Sequence, residues 1–247
     1  MNIVLQHWDG ELNDLAKASI KNINQYATQI GAEYELVTGK PFREHLTPPC
    51  QKVCCISEKY DKYDNVLMLD PDVFIVKGLE RNIFEEEGNG IHGPTQALLK
   101  RRLIQKWCLS PKSLSVLPLG IHPPWILENK ITEVAPYWAG SIYKFSKEER
   151  IKLREQIPTT DEWMNEFNKA YHFEDEGILS QLAFKAALPI KYLDFKWNQC
   201  SFLPEPEKAY MLHIRTKLPG QIHGTWKNGG KQDKLLNYNA LVDQRII

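Results

Sequence analysis

Two short apolar runs bracketing a segment of helical period constrain this chain more than any other feature. Asn2-Ile-Val-Leu-Gln6 is apolar without alternation, the pattern of a strand buried on both faces. Leu12, Leu15, Ala16, Ile20, Ile23, Ala27 and Ile30 then recur at helical spacing and stop at Gly31, a residue suited to the left-handed turn after a helix. Tyr34-Glu-Leu-Val37 returns to a strand. Strand, helix, strand in that order predicts a right-handed parallel crossover. Pro48-Pro49 opens a second helix around Gln51–Tyr60, and Asn65-Val-Leu-Met-Leu69 is a third strand. The expected fold is an open α/β sheet, whose ligands bind beyond the carboxyl ends of its strands.

Later elements are less regular. The segment Gly88–Pro124 mixes Gly and Pro with the basic run Lys100-Arg-Arg102, a solvated helix face, and offers no assignable element. Tyr137–Tyr143 predicts another strand. Ser146 with Glu149 forms a capping-box pattern before a charged helix, and Thr159 with Glu162 starts another. Ile178–Ala187 is helical and Pro189 stops it; Ile190–Phe195 and Ala209–His213 are the last strands. No linker, repeat or low-complexity segment interrupts the chain, so one domain over residues 1–247 is expected.

Composition narrows the function classes. Lys+Arg 31 against Asp+Glu 31 leaves no net charge, and 43% of the 247 residues are hydrophobic. That is core-forming material, unlike a disordered tail, and it lacks the basic excess of a nucleic-acid binder. The five cysteines, Cys50, Cys54, Cys55, Cys108 and Cys200, make neither a disulfide framework nor a paired zinc spacing, so reduced buried thiols are expected. No apolar run approaches the roughly 20 residues of a membrane span, and no secretory leader is evident. A soluble, cytoplasmic protein without nucleic-acid partner or integral membrane segment is the expectation.

The strongest chemical signal is Leu67-Met-Leu-Asp70-Pro-Asp72-Val-Phe-Ile75. An apolar strand runs into two carboxylates one residue apart, at the end of the sheet where ligands bind. Pro71 fixes its own φ and pushes Asp70 towards an extended conformation. Hard oxygen donors at this spacing suit Mg²⁺ or Mn²⁺, which leave positions for phosphate oxygens. The same residue types also build an ordinary turn between strands.

Tyr63-Asp-Asn-Val-Leu-Met-Leu-Asp70-Pro-Asp72-Val-Phe-Ile-Val76 resembles the DXD segment of GT-A glycosyltransferases. The resemblance implies a Rossmann-like, open, mixed and mostly parallel sheet flanked by helices. Residues 1–76 would form the nucleotide-binding half and residues 77–247 the acceptor and catalytic half. It also implies a nucleoside-diphosphate sugar as donor, with Mn²⁺ (or Mg²⁺) bridging Asp70, Asp72 and the diphosphate. The acceptor would be a carbohydrate or glycoconjugate hydroxyl. His7 and Trp8 follow the strand that holds nucleobase and ribose in that family, and Lys52 lies on the helix leading to the motif. Ala139-Gly-Ser141 resembles the small-residue turn lining the sugar pocket, and Trp197-Asn198 a position near the acceptor.

Two later segments extend the resemblance. Glu174-Asp175-Glu176 is similar to the acidic segment of retaining transferases of this fold, which implies that Asp175 contacts sugar hydroxyls and Glu176 faces the anomeric carbon. Acids at a helix N-terminus are also favourable in their own right. His213 and Lys217 match a late histidine that completes the metal shell and a lysine that meets the diphosphate; His223 competes with His213 for that role. Asn228-Gly-Gly-Lys231 has the composition of a loop that closes over a diphosphate. Retention of anomeric configuration follows from the Asp175-Glu176 likeness, and inversion would need one of these acids as general base. The same Asp-x-Asp-x-Val pattern resembles the nucleophile segment of haloacid-dehalogenase-type phosphatases, where Asp70 would be phosphorylated. A non-catalytic nucleotide-sugar or carbohydrate-binding module is a third reading.

Overall fold

The first apolar run forms strand β1 (Asn2–Trp8), followed by helix α1 (Asp14–Gln29) and strand β2 (Glu33–Thr38) in a computed structural model that describes residues 1–91, 140–157, 174–189, 191–201, 203–215 and 230–247. β3 (Asn65–Leu69) and β5 (Ile142–Ser146) complete a sheet of order β2-β1-β3-β5. β1 pairs in parallel with β2 and with β3, and β3 pairs antiparallel with β5. The open, mostly parallel α/β sheet expected from the sequence is therefore present. β4 (Val73–Ile75), β6 (Gln199–Cys200) and β7 (Met211–His213) form a second sheet in the order β4-β7-β6.

The lack of polar alternation in β1 and β3 has a packing cause. Ile3, Leu5, Val66 and Met68 face the 3₁₀ helix Pro48–Ile56 and helix α3 (Glu174–Lys185), in a cluster with Val53, Cys55, Ile178 and Leu182. Val4, Leu67 and Leu69 face the other way, towards Ile23, Tyr26 and Ala27 of α1. Both faces are covered along Ile3–Leu5 and Val66–Leu69, so those positions are apolar throughout. α1 is closed at both ends as its sequence suggests. The Asn13 side chain accepts from Ala16 N at 2.8 Å, and Gly31 takes φ 68 just beyond Gln29. The capping box also forms: Ser146 Oγ and the Glu149 carboxylate bond each other's backbone N–H groups at 3.2 and 2.8 Å before α2 (Lys147–Arg154). Such a cap contributes about 1 kcal/mol.

Three local expectations are corrected. The second helix is 3₁₀, over Pro48–Ile56 and Glu58–Tyr60. Every residue from Cys50 to Ile56 is buried, so no amphipathic face selects the 3.6-residue period. The strand expected at Ile190–Phe195 is a single bridge from Tyr192 to Gly90 and then the 3₁₀ turn Phe195–Asn198. The Asp194 side chain, accepting from Lys196 N at 2.9 Å, turns the backbone out of the extended form there. Glu174, Asp175 and Glu176 lie within α3 instead of preceding it. Of the closing loop expected at Asn228–Lys231, residues 228 and 229 lie outside the described residues, and Gly230 and Lys231 lie in a helix, α4 (Gly230–Asp243). Leu235, Leu236 and Val242 on it are exposed while Asn237 and Leu241 are buried, so no apolar stripe marks it in the sequence.

Of the strand expected at Tyr137–Tyr143, residues 137–139 lie outside the described residues; Gly140 and Ser141 form a turn and β5 starts at Ile142. Lys100–Arg102, Cys108 and the Thr159–Glu162 pattern also lie outside them. Cys50, Cys54, Cys55 and Cys200 are buried, and burial pushes Cys54 up to about 12. Among the described residues no helix is long and apolar enough to cross a membrane.

Candidate metal and donor site

Asp70 and Asp72 sit in the turn between β3 and β4. Val73 N donates to Asp70 O at 3.2 Å across Pro71 and Asp72, with proline in the second position of the turn. Asp70 N is held by Ser141 O at 3.0 Å, and Ile214 N donates to Asp72 O at 2.9 Å. Antiparallel pairing of β4 with β7 sets Val73 opposite His213. The same segment is thus a tight turn and a platform that brings a distant imidazole to two carboxylates.

His213, 2% exposed, places Nε2 3.1 Å from Asp72 Oδ1 and 4.0 Å from Asp70 Oδ2. One donor atom from each of the three residues lies within 4.8 Å of the others. Asp72 Oδ1 is buried and, among the described residues, makes no hydrogen bond of acceptable geometry, although His213 Nε2 is so near. A small divalent ion with ligands at about 2.1 Å holds adjacent donors about 3 Å apart and opposed donors about 4 Å apart. The unpartnered carboxylate oxygen, the spacing and the oxygen–nitrogen donor set all fit Mn²⁺ or Mg²⁺. Burial, with Arg215 nearby, pushes the imidazole below its ordinary range against the opposing pull of Asp72 and Asp70. Burial alone would raise the Asp72 carboxyl, but His213 and Lys234 together hold it well below the usual carboxylate range.

The remaining oxygens of the pair are each held by a lysine. Lys52, 6% exposed, donates to Asp70 Oδ1 at 2.5 Å and to Gly140 O at 2.6 Å, and its Nζ lies 2.8 Å from Asp175 Oδ2. Tyr143 Oη donates to the same Asp175 oxygen at 2.8 Å. Burial would lower the lysine, yet Asp175 and Asp70 raise it well above its ordinary value. Its three N–H donors are all taken up inside the protein. Lys52, expected from the sequence to meet phosphate or nucleobase, thus bridges the turn after β3 to α3. Asp175, expected to contact sugar hydroxyls, is 5% exposed and tied into that bridge. Burial raises its pKa against the opposing effect of Lys52.

Lys234 is the second lysine, and sequence reasoning missed it. Tyr238 of α4 rests its ring on Phe74 of β4, with centroids 5.1 Å apart. One helical turn back on the same face, Lys234 Nζ bonds Asp72 Oδ2, two residues before Phe74. Gln6 was missed as well. Its amide donates to Asp70 O at 3.1 Å and to Ser19 Oγ at 3.0 Å, and it accepts from Tyr34 Oη at 2.9 Å. A glutamine closing the apolar run of β1 was the available signal.

His7 and Trp8 do lie at the end of β1 beside this site. His7, 5% exposed, donates from Nε2 to Gly39 O at 2.7 Å, and Trp8 Nε1 donates to Glu11 O at 3.1 Å. Burial pushes His7 below 6.5 despite the opposing effect of that hydrogen bond. Its protonation is thus resisted by the fold, so stability falls as pH drops beneath 6.5 and levels off below the folded-state pKa. NMR titration of the ring should give a value under 6.5, and His7→Gln should flatten that part of the stability–pH curve. A ring titrating at or above 6.5 would contradict the assignment.

Asn198 Nδ2 donates to Ser141 Oγ at 2.5 Å, while Asn198 Oδ1, Trp197 Nε1 and His213 Nδ1 are buried without hydrogen-bond partners among the described residues. Glu176 lies in α3, next to Asp175; its side chain is outside the described residues. Lys217 and His223 are also outside them.

No protein-family profile and no curated protein matches the chain. Among solved structures it is similar to a glycosyltransferase involved in the glycosylation of the major capsid of PBCV-1, with TM-score 0.49 and 12% identity over 86% of this chain and 93% of that one. It is also similar to mouse xyloside xylosyltransferase 1, with TM-score 0.44 and 13% identity over 86% of this chain and 97% of that one.

Proposed function

We propose that this chain is a GT-A glycosyltransferase that moves a sugar from a nucleoside-diphosphate donor to an acceptor hydroxyl, with a divalent metal held by Asp70, Asp72 and His213. The observation that carries this reading is the convergence of those three donors, one of them a buried oxygen without a hydrogen-bond partner among the described residues, at the carboxyl end of β3. When bound, a divalent ion supplies Lewis-acid stabilisation of the departing diphosphate. The chain's own groups then do the positioning. Gln6 pins the backbone at Asp70, Lys52 fixes which Asp70 oxygen faces His213, and Tyr143 holds Asp175 against Lys52.

In this reading residues 1–76 form the nucleotide half, with His7 and Trp8 beside the base and ribose, and residues 77–247 the acceptor half. Lys217 adds positive charge to the diphosphate. With Asp175 engaged by Lys52, Glu176 is the acid assigned to the anomeric carbon, as nucleophile or as stabiliser of oxocarbenium charge, in a retaining transfer. Mn²⁺ is the proposed ion and a glycan the proposed acceptor.

The test is a panel of UDP- and GDP-sugars incubated with and without Mn²⁺. Metal-dependent release of nucleoside diphosphate supports the transferase, and NMR of the product anomer reports retention or inversion. Release of phosphate from simple esters, without nucleotide-sugar turnover, would replace this reading with the phosphatase one. Nucleotide-sugar binding without turnover, with acceptors supplied, would replace it with a binding module.

A further inference from the structure

We propose that Lys234 makes metal binding conditional on an accompanying diphosphate, by neutralising Asp72 in the free protein. The inference rests on the metal reading above and extends it to the chain's last helix. Three carboxylates, Asp70, Asp72 and Asp175, meet two ammonium groups, Lys52 and Lys234, around His213, so the acids outnumber the ammonium groups by one. That single excess is a poor attraction for a dication alone.

The two lysines are not equivalent. Lys52 is enclosed by three acceptors and cannot leave. Lys234 has a 28% exposed side chain, and among the described residues its ammonium contacts Asp72 alone. It bonds Oδ2 and leaves Oδ1 open towards His213 Nε2, so it opposes a cation by charge and not by filling the ligand position. A unit charge about 5 Å from a dication, at an effective dielectric near 20, weakens binding by about tenfold or more even after solvent screening. Orienting one carboxylate oxygen strengthens binding by less, so repulsion dominates. An anionic diphosphate arriving with the metal reverses the balance, because the ammonium then faces net negative charge. By linkage the metal must strengthen the diphosphate by the same factor.

The experiment follows Mn²⁺ binding to the full chain by the EPR signal of the free ion, alone and with inorganic pyrophosphate. Wild type is expected to bind Mn²⁺ weakly alone and about tenfold or more tightly with pyrophosphate. Lys234→Gln should bind Mn²⁺ alone about tenfold or more tightly, with a smaller gain from pyrophosphate. Lys234→Arg, which keeps the charge, should behave as wild type, and Lys234→Met, which keeps the stem, should behave as Lys234→Gln. Circular dichroism confirms that each variant is folded. Unchanged or weaker Mn²⁺ binding in both neutral variants, or an undiminished pyrophosphate effect, overturns the proposal. If Mn²⁺ binds and Asp72→Asn abolishes it while the Lys234 variants have no effect, the coupling alone falls. If wild type binds no Mn²⁺ under either condition, the metal reading falls and takes the coupling with it.

Discussion

Asp72→Asn should abolish Mn²⁺ binding and metal-dependent turnover while leaving the chain folded. Asp72 Oδ1 is buried, has no hydrogen-bond partner among the described residues and lies 3.1 Å from His213 Nε2, and an amide there offers a neutral oxygen or a donor in place of a charged ligand. Groups that merely orient a ligand cost about 10–100-fold in affinity when removed, so loss of a ligand itself should exceed that. Stability should change little, because the substitution is nearly isosteric and Lys234, with a partly exposed side chain, can turn its ammonium to water. A drop of 1 kcal/mol would lower the melting temperature by only about 2–4 °C in a chain of this size. Calorimetry and Mn²⁺ EPR on the same preparation separate the two effects. Normal Mn²⁺ binding in the variant would remove Asp72 from the metal site.

Lys52→Met is expected to have the opposite profile, with a large loss of stability. The ammonium lies between Asp70 and Asp175, bonds the Gly140 carbonyl, and is 6% exposed. Methionine restores the stem but leaves two carboxylates facing each other without the charge between them. Breaking a buried ion pair by deleting one partner costs about 3–5 kcal/mol, and here two pairs share the deleted group. The melting temperature should fall by about 10 °C.

The pH dependence follows with a definite sign. Without the lysine the Asp175 carboxyl is disfavoured as an anion in the fold, so protonation relieves the strain and the deficit against wild type shrinks as pH falls. Lys52→Met combined with Asp175→Asn should recover part of the loss, because the second substitution removes one of the orphaned charges. A single variant within about 1 kcal/mol of wild type would mean that the bridge is not a stabilising feature.

The main sheet was legible because its strands are buried on both faces and its first helix carries caps at both ends. Ile3, Val4 and Leu5 alternate between two clusters, and such a strand needs apolar residues at every position. The charged helix after Ser146 was legible for the same local reason, since a capping box closes within four residues. Local patterns failed where nothing local chose the geometry. The Pro48–Ile56 segment is helical but wholly enclosed, and α4 has no apolar stripe.

The sequence by itself determined that two carboxylates stand at the end of an apolar strand, with Pro71 shaping the turn between them. It determined too that a histidine follows a late strand. Only the tertiary structure decided which oxygens are free. The antiparallel pairing of β4 with β7 brings His213 to Asp70 and Asp72 over a separation of more than a hundred residues. Lys52 and Lys234, from opposite ends of the chain, take the other oxygens. Strand apolarity and proline geometry act between neighbours in sequence, whereas the partner of a charge is set by packing between elements, which no local pattern encodes.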